Sequence, residues 1–167
     1  MRPGRLALVT VSTAYAVALV WAAAVLPARV PSHLDAAGRV DDWSSRTSLL
    51  VGMGLVGLLV LAGIPLLGRA ATRGDGTLLN MPRATKDYWL APERRAEFRV
   101  RFHDDLDGFS ALTGALLLAV VVLMTWVGTS GRADLPGAVI PALVGAYVLA
   151  TVAWTVRLLR AYRPPAG

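Results

Sequence analysis

The sequence predicts an all-α polytopic membrane protein with four transmembrane helices and an amphipathic cytoplasmic helix that extends the third span. Of the 167 residues 55% are hydrophobic and only 17% are charged, against roughly a quarter charged in ordinary soluble domains. Four runs contain no Asp, Glu, Lys, Arg or His, and each approaches the ~20 residues that cross a bilayer. We place the spans at residues 6–26, 49–67, 108–127 and 136–156 of a single membrane domain, 1–167, with loops at 27–48 and 68–107.

The distribution of cationic residues predicts the orientation of the helices. Thirteen of the seventeen lie in the two tails and loop 68–107, and four lie in loop 27–48 and the turn before the fourth span. Segments rich in Lys and Arg face the cytoplasm. Both termini and loop 68–107 are therefore expected in the cytoplasm, and loop 27–48 is expected outside. Sixteen arginines against one lysine indicate a GC-rich bacterial genome, so the membrane is predicted to be the bacterial cytoplasmic membrane.

The same charge pattern predicts which partners the chain has. Its cationic side faces an inner leaflet that contains anionic lipid, so the bilayer itself is the first partner that we expect. No soluble basic face is evident, and no nucleic-acid partner is predicted. A peptide, a membrane protein or a second copy of the chain all stay open as partners.

The first two spans contain small residues that favour close helix packing. Ala14, Ala18 and Ala22 recur every four residues in the first span and form one smooth face. Tyr15 is predicted to form an interhelical hydrogen bond, as are Thr10 and Thr13. The second span has four glycines and then Pro65, which predicts a tightly packed helix with a kink. A hinge or a substrate path is the alternative interpretation.

Loop 68–107 is predicted to end in a helix that continues into the third span. Residues 78–90 are expected to be irregular and amphipathic, with Tyr88 and Trp89 at the headgroup level. Pro92 is predicted to open the following helix, and Glu93 to lie at the positive end of its dipole. An apolar stripe at helical spacing supports that helix, namely Phe98, Phe102, Leu106 and Phe109.

Loop 27–48 carries the densest set of polar side chains in the chain. Together with Asp42, the residues His33, Asp35 and Asp41 are candidate ligands for a divalent metal. Asp35 can instead accept hydrogen bonds from backbone amides ahead of Gly38, with a positive φ at that glycine. We favour the structural turn and assign no metal. Ligand recognition and pH sensing by His33 stay open.

The end of loop 68–107 carries a second polar group. His103 and Asp107 lie four residues apart and share a helix face, which would suit a two-ligand metal site or a solvated surface. Asp104, Asp105 and Asp107 are predicted to form weak local ion pairs with neighbouring arginines. Because the spans contain no ionisable residue, a proton relay is disfavoured.

Two motifs carry a resemblance to a known family. The first, in loop 27–48, consists of Pro31, His33, Asp35, Gly38, Asp41, Trp43 and Ser45. The second, in loop 68–107, consists of Asn80, Pro82, Lys86, Tyr88, Trp89, Pro92 and Glu93. These motifs resemble a bacterial integral-membrane family of unknown function, whose module also forms the N-terminal part of SdpI-type peptide-toxin immunity proteins. The chain departs from that pattern at Leu34 and Arg46, where an aromatic residue and a lysine are common.

The resemblance implies a fold, a topology and an immunity-like role. We predict a non-enzymatic membrane protein that acts in sensing, immunity or assembly through the outer loop around His33. A small transporter or transporter subunit is the alternative, and a metal-dependent membrane enzyme is the second alternative. No catalytic residue is assigned, since no nucleophile or phosphate-binding motif is present, and the cofactor is unknown.

Overall fold

The computed structural model describes residues 1–74, 76–132 and 134–165 and is mostly helical. Its elements in chain order are α1 (Pro3–Val25), β1 (Arg29–Leu34), β2 (Val40–Ser45), α2 (Arg46–Leu58), α3 (Ile64–Ala71), α4 (Arg83–Trp89), α5 (Arg95–Ser130) and α6 (Val139–Ala161). A π-helical turn, Leu59–Gly63, joins α2 to α3. Within the described ranges, four helices are long and apolar enough to cross a membrane, namely α1, α2 with α3, α5 and α6. The predicted multi-pass helical fold is confirmed.

Helix α5 is the element against which the other spans pack. Helix α1 lies along it and buries Ala18 and Ala22 in one cluster with Val121 of α5. A Cβ at Gly114 of α5 would lie 2.4 Å from Leu61 and 3.0 Å from Val11. A side chain at this position would displace Leu61 and Val11, so glycine favours the close approach of α5 to the first two spans, as small residues do at membrane helix interfaces.

Loop 27–48 forms an antiparallel β-hairpin of β1 and β2, which the all-helical prediction did not include. Val30 and Pro31 of β1 are buried against the ends of the helices. Ser45 caps α2, since its Oγ accepts a hydrogen bond of 3.0 Å from the amide of Ser48. Helix α2 therefore begins at Arg46, before the charge-free run.

Two details of loop 68–107 differ from the prediction. Residues 83–89, expected to be irregular, form the short helix α4. Pro92 does not open the next helix but lies in a turn, where the amides of Arg94 and Arg95 both donate to the carbonyl of Ala91. Helix α5 then starts at Arg95 and runs for 36 residues, about 54 Å at a rise of ~1.5 Å per residue. The predicted continuity of this helix with the third span is confirmed.

The second span is held to α1 and α5 by two bonds that side chains donate to its backbone. The hydroxyl of Tyr15 donates to the carbonyl of Met53 over 2.7 Å, which confirms the predicted interhelical bond. Thr13, in contrast, bonds within its own helix to Val9. In a π-helix, each carbonyl accepts a hydrogen bond from the amide five residues later. For the Val60 carbonyl that residue is Pro65, which has no backbone N–H to donate. The hydroxyl of Ser110 on α5 donates to this carbonyl instead.

We predict that Ser110→Ala lowers the free energy of unfolding by about 1 kcal/mol, because it leaves a buried carbonyl without a donor. Pro65→Ala supplies a new amide to that carbonyl, so the two substitutions should couple and the double variant should lose less than the sum. Unfolding in mixed micelles measures all three. Thr155→Ala is the control, since Thr155 is exposed and bonds within its own helix. Strict additivity of Ser110→Ala and Pro65→Ala would contradict the assignment.

Candidate functional site

The turn of the hairpin is built around the carboxylate of Asp35. Its Oδ1 accepts hydrogen bonds of 2.9 Å from the amides of Ala37 and Arg39, and its Oδ2 accepts one of 2.9 Å from Arg39 Nε. Gly38 has a φ of 82°, which a side chain would strain. The backbone amide of Arg39 and then its guanidinium lower the pKa of Asp35. The structure thus contains the turn that the sequence predicted.

The hairpin has an irregular pairing at His33, and the polar side chains around it are exposed. The pairing of β1 with β2 is irregular on both sides of His33, which lies opposite Asp42. His33 Nδ1 lies 2.6 Å from Asp41 Oδ1, and Ser32 Oγ donates to Asp42 Oδ2 over 3.0 Å. The side chains of His33 and Asp41 remain 65% and 48% exposed. They are therefore presented to the surroundings and not packed inward.

The structure brings together two of the three metal candidates, His33 and Asp41, and leaves Asp35 with other partners. Asp35 is occupied by the turn and Arg39, whereas His33 pairs with Asp41. Across residues 1–74, 76–132 and 134–165, no group of three or more His, Asp or Glu is placed to hold a metal ion.

The hairpin is attached to the helices at several points. The amide of Leu135 donates to the carbonyl of Gly38 over 2.8 Å. Arg46 donates to the carbonyl of Leu26 over 2.9 Å and so satisfies the C-terminal end of α1. Val30, which is fully buried, packs in the cluster shared by α1 and α5. The remaining motif residue, Trp43, stays 43% exposed, with the guanidinium of Arg29 5.9 Å from its ring centroid.

The opposite end of the helices is called the basic end here: the N-terminal residues 1–5, the end of α3, α4, the first turns of α5 and the last turn of α6. Its centre is Trp89, which is 5% exposed. The Trp89 ring lies 6.2 Å from Phe98 and 5.7 Å from Tyr162, and its Nε1 donates to the carbonyl of Tyr162 over 2.9 Å. Trp89 therefore packs inside the protein and joins α4 to α5 and α6, while its position at the headgroup level stays a prediction.

The other residues of the second motif lie around this aromatic cluster. Tyr88 meets Trp89 edge to face and carries the guanidinium of Arg94 4.1 Å from its ring centroid. The amide of Lys86 donates to the carbonyl of Pro82 in the first turn of α4. Asn80 and Pro82 line a cavity beside Tyr162. Pro92 and Glu93 lie in the exposed turn before α5.

Two buried carboxylates were not foreseen from the sequence. Asp105 is 6% exposed and accepts hydrogen bonds from Arg157 over 3.0 Å and from the hydroxyl of Tyr162 over 2.7 Å. Asp107 is 3% exposed and contacts Arg69 at 3.2 Å through both oxygens, with Arg5 at 3.8 Å.

The predicted local ion pairs of these carboxylates are therefore wrong, because their partners come from other helices. Residues two apart point about 200° around a helix from one another, so Asp105 faces α6 while Asp107 faces α1 and α3. One signal was present: Asp105 follows Phe98 by seven residues and Phe102 by three, and so lies on the apolar stripe that faces the interior.

Asp104 and His103 complete the basic end. Asp104 Oδ1 accepts from the amide of Arg5 over 3.2 Å, and a Cβ at Gly4 would lie 2.0 Å from the carbonyl oxygen of Asp104. His103 Nε2 lies 2.7 Å from the hydroxyl of Thr72. His103 and Asp107 thus have separate partners, and the two-ligand metal hypothesis finds no support in this geometry.

Burial changes the pKa of two groups at this end, both outside the charge-free spans. Burial and then the charge of Arg69 lower the pKa of His103, which keeps its imidazole neutral near pH 7. Burial and the hydrogen bond to Asp105 raise the pKa of Tyr162. The phenol of Tyr162 is therefore a permanent donor to Asp105.

One comparison finds that part of the chain is similar to a known family. Residues 10–58 match the sequence model of a family described as a domain of unknown function (DUF1648). This match covers most of α1, the hairpin and α2, and agrees with the resemblance to a family of unknown function. The relation to SdpI-type immunity proteins stays a prediction. No curated protein matches the chain, and no solved structure does.

We expect Trp89→Ala to lower the free energy of unfolding by about 3 kcal/mol, since truncating a buried tryptophan leaves a cavity and an unpaired carbonyl. Trp43→Ala, at the exposed tryptophan of the hairpin, is the control and should change it by less than about 1 kcal/mol. Chemical unfolding in mixed micelles compares the two. Equal effects of the two substitutions would show that α4 is not fastened through Trp89.

Proposed function

We propose that the chain is a non-enzymatic module of the bacterial cytoplasmic membrane, and that its hairpin binds a cationic peptide segment outside the cell. The observation that carries this proposal is the exposure of three consecutive residues of β2, Asp41, Asp42 and Trp43, whose side chains alternate between the two faces of the strand. All three side chains are exposed on a strand whose backbone is fixed to the ends of the helices.

The chemistry of this surface supports a cationic peptide as the ligand. Asp41 and Asp42 place a carboxylate on each face of the strand, where each attracts basic side chains, and charge complementarity raises the rate and specificity of encounter. The indole of Trp43 adds apolar area next to them and attracts cations to its face. Because the hairpin is ordered before binding, little conformational entropy is lost on association. A sensing or immunity role requires such a preformed surface.

The proposed orientation follows from the arrangement of the cationic residues. Arg5, Arg69 and Arg157 come from three different helices, and all lie at the end of the helices opposite the hairpin. By the positive-inside rule this end is cytoplasmic, so the hairpin lies outside.

The alternatives have less support than peptide recognition. A transport site made at a helix break needs free backbone carbonyls, but the Val60 carbonyl at the π-helical turn accepts from Ser110. A metal-dependent enzyme would depend on His33, which pairs with Asp41 and belongs to no group of three candidate metal ligands among the described residues.

The orientation can be tested by cysteine labelling, because the chain has no cysteine of its own. Asp42→Cys should react with a membrane-impermeant maleimide on intact cells. Asp87→Cys, on exposed α4, should react only after the cells are permeabilised. The opposite pattern would invert the orientation and remove the proposed function.

Binding is tested by placing a photoreactive phenylalanine analogue at Trp43 in the full chain within native membranes. We expect a crosslinked polypeptide at this position and its loss when Asp41 and Asp42 are both changed to Asn. The same analogue at Leu149, an exposed position in the middle of α6, should give no such product. Equal crosslinking at both positions, or an adduct that survives the paired Asn substitutions, would rule out recognition by this surface.

A further inference from the structure

An apolar groove at the basic end is not used by the proposed function. Its floor is formed by Phe102 and Leu106 of α5, and residues Asn80 and Met81 lie across it. On the α6 side the groove has a volume of about 400 Å³, with walls that include Leu158 and Leu159. On the α3 side it has a volume of about 310 Å³. Phe102, Leu106, Asn80 and Met81 line both parts. The two parts therefore lie on either side of the segment that contains Asn80 and Met81.

The polar residues that line the α6 side of the groove are Asn80, Thr85, Asp105, Tyr162 and Arg163. Arg163 lies at the rim beside Tyr162. Asp105 also lines this part, but its two oxygens already accept from Arg157 and from the hydroxyl of Tyr162. The carboxylate is thus balanced by a guanidinium, and Arg163 leaves the rim with a net positive charge.

We infer that this groove binds an anionic phospholipid of the bilayer, with its acyl chains against Phe102 and Leu106 and its phosphate at Arg163. The groove lies where α5 and α6 leave their charge-free spans, at the depth where acyl chains meet headgroups. Its apolar walls match a hydrocarbon chain, and its cationic rim matches a phosphate. A basic pocket between helices on the cytoplasmic side is suited to an anionic headgroup. In this arrangement Asn80 and Pro82 of the second motif contact the bound lipid.

The test is native mass spectrometry of the purified full chain in mild detergent, with dioleoyl phosphatidylglycerol or dioleoyl phosphatidylcholine added. The parent should retain one phosphatidylglycerol in preference to phosphatidylcholine. Arg163→Gln removes one cation near the headgroup and should weaken phosphatidylglycerol binding about fivefold, the equivalent of ~1 kcal/mol. Arg160→Gln, three residues earlier on α6 and outside the groove, is the matched control and should change binding little.

A second pair of variants tests the groove itself. Met81→Trp should reduce retention of phosphatidylglycerol by filling the groove, whereas Leu149→Trp, on the exposed face of α6, should not. Equal adducts with both lipids, or equal losses from Arg163→Gln and Arg160→Gln, would overturn the inference. A polypeptide that co-purifies with the parent in place of lipid and is lost in Met81→Trp would also overturn it. None of these readouts depends on the hairpin, so failure here is distinguishable from failure of the proposed function.

Discussion

The structure depends on two buried carboxylates in the first half of α5. Asp105 and Asp107 lie just before the charge-free part of this helix and point to opposite sides of it. Asp105 receives Arg157 from α6, and Asp107 receives Arg69 from α3 together with Arg5 from α1. Each of the other three spans thus contributes one arginine at the level of these two aspartates. An uncompensated charge in this position would be costly, so the ion pairs favour an arrangement in which these parts of the four helices lie at one level.

These ion pairs matter because little else distinguishes one helix arrangement from another in lipid. Lipid tails are as apolar as leucine side chains, so apolar contact alone does not select partners in a bilayer. Small residues give α1 and α5 a close fit, but the walls of α2 and α6 remain largely exposed to lipid. Helix α6 is held mainly by specific contacts: Thr113 with Tyr147, Trp154 against Gly108, and Tyr162 in the aromatic cluster.

The two ends of the molecule are fastened in different ways and suit different roles. At the basic end, charged and aromatic side chains are buried and bind parts of the chain to one another. At the hairpin end, the buried contacts are apolar and the charged side chains face outward. The first arrangement fixes a scaffold, and the second displays a surface from that scaffold. This division is the reason for assigning recognition to the hairpin and structural support to the other end.

Much of the scaffold was predictable because membrane spans leave a strong signal in composition. Charge-free runs identified the four helices, and the Phe98 stripe identified the extension of α5. The turn at Asp35 and Gly38 was predictable for a similar reason, since both residue types have well-defined local geometry. Residue types and their spacing within one segment were sufficient to predict each of these features.

The features of the structure that were not predicted depend on contacts between residues far apart in the sequence. Residue types alone do not specify such contacts. The hairpin was missed because Val30 and Pro31 are buried partly by α5, whose residues Val121 and Gly128 lie far along the chain. The burial of Trp89 could not be predicted from its residue type, because its partners Phe98 and Tyr162 come from α5 and from the end of α6. The aspartates of α5 were assigned to neighbouring arginines although their true partners are up to 102 residues away, as for Arg5 and Asp107.

The most direct test of this account is the free energy of unfolding of Asp105→Asn and Asp107→Asn in mixed micelles, with Asp87→Asn on exposed α4 as the control. Each of the first two substitutions keeps the side-chain shape but removes a buried charge from its cationic partner. We expect each to cost about 2 kcal/mol, since the arginines are partly exposed and can regain water, and the control to cost close to nothing. If all three variants unfold with the parent's free energy, the carboxylates of α5 do not hold the helices together.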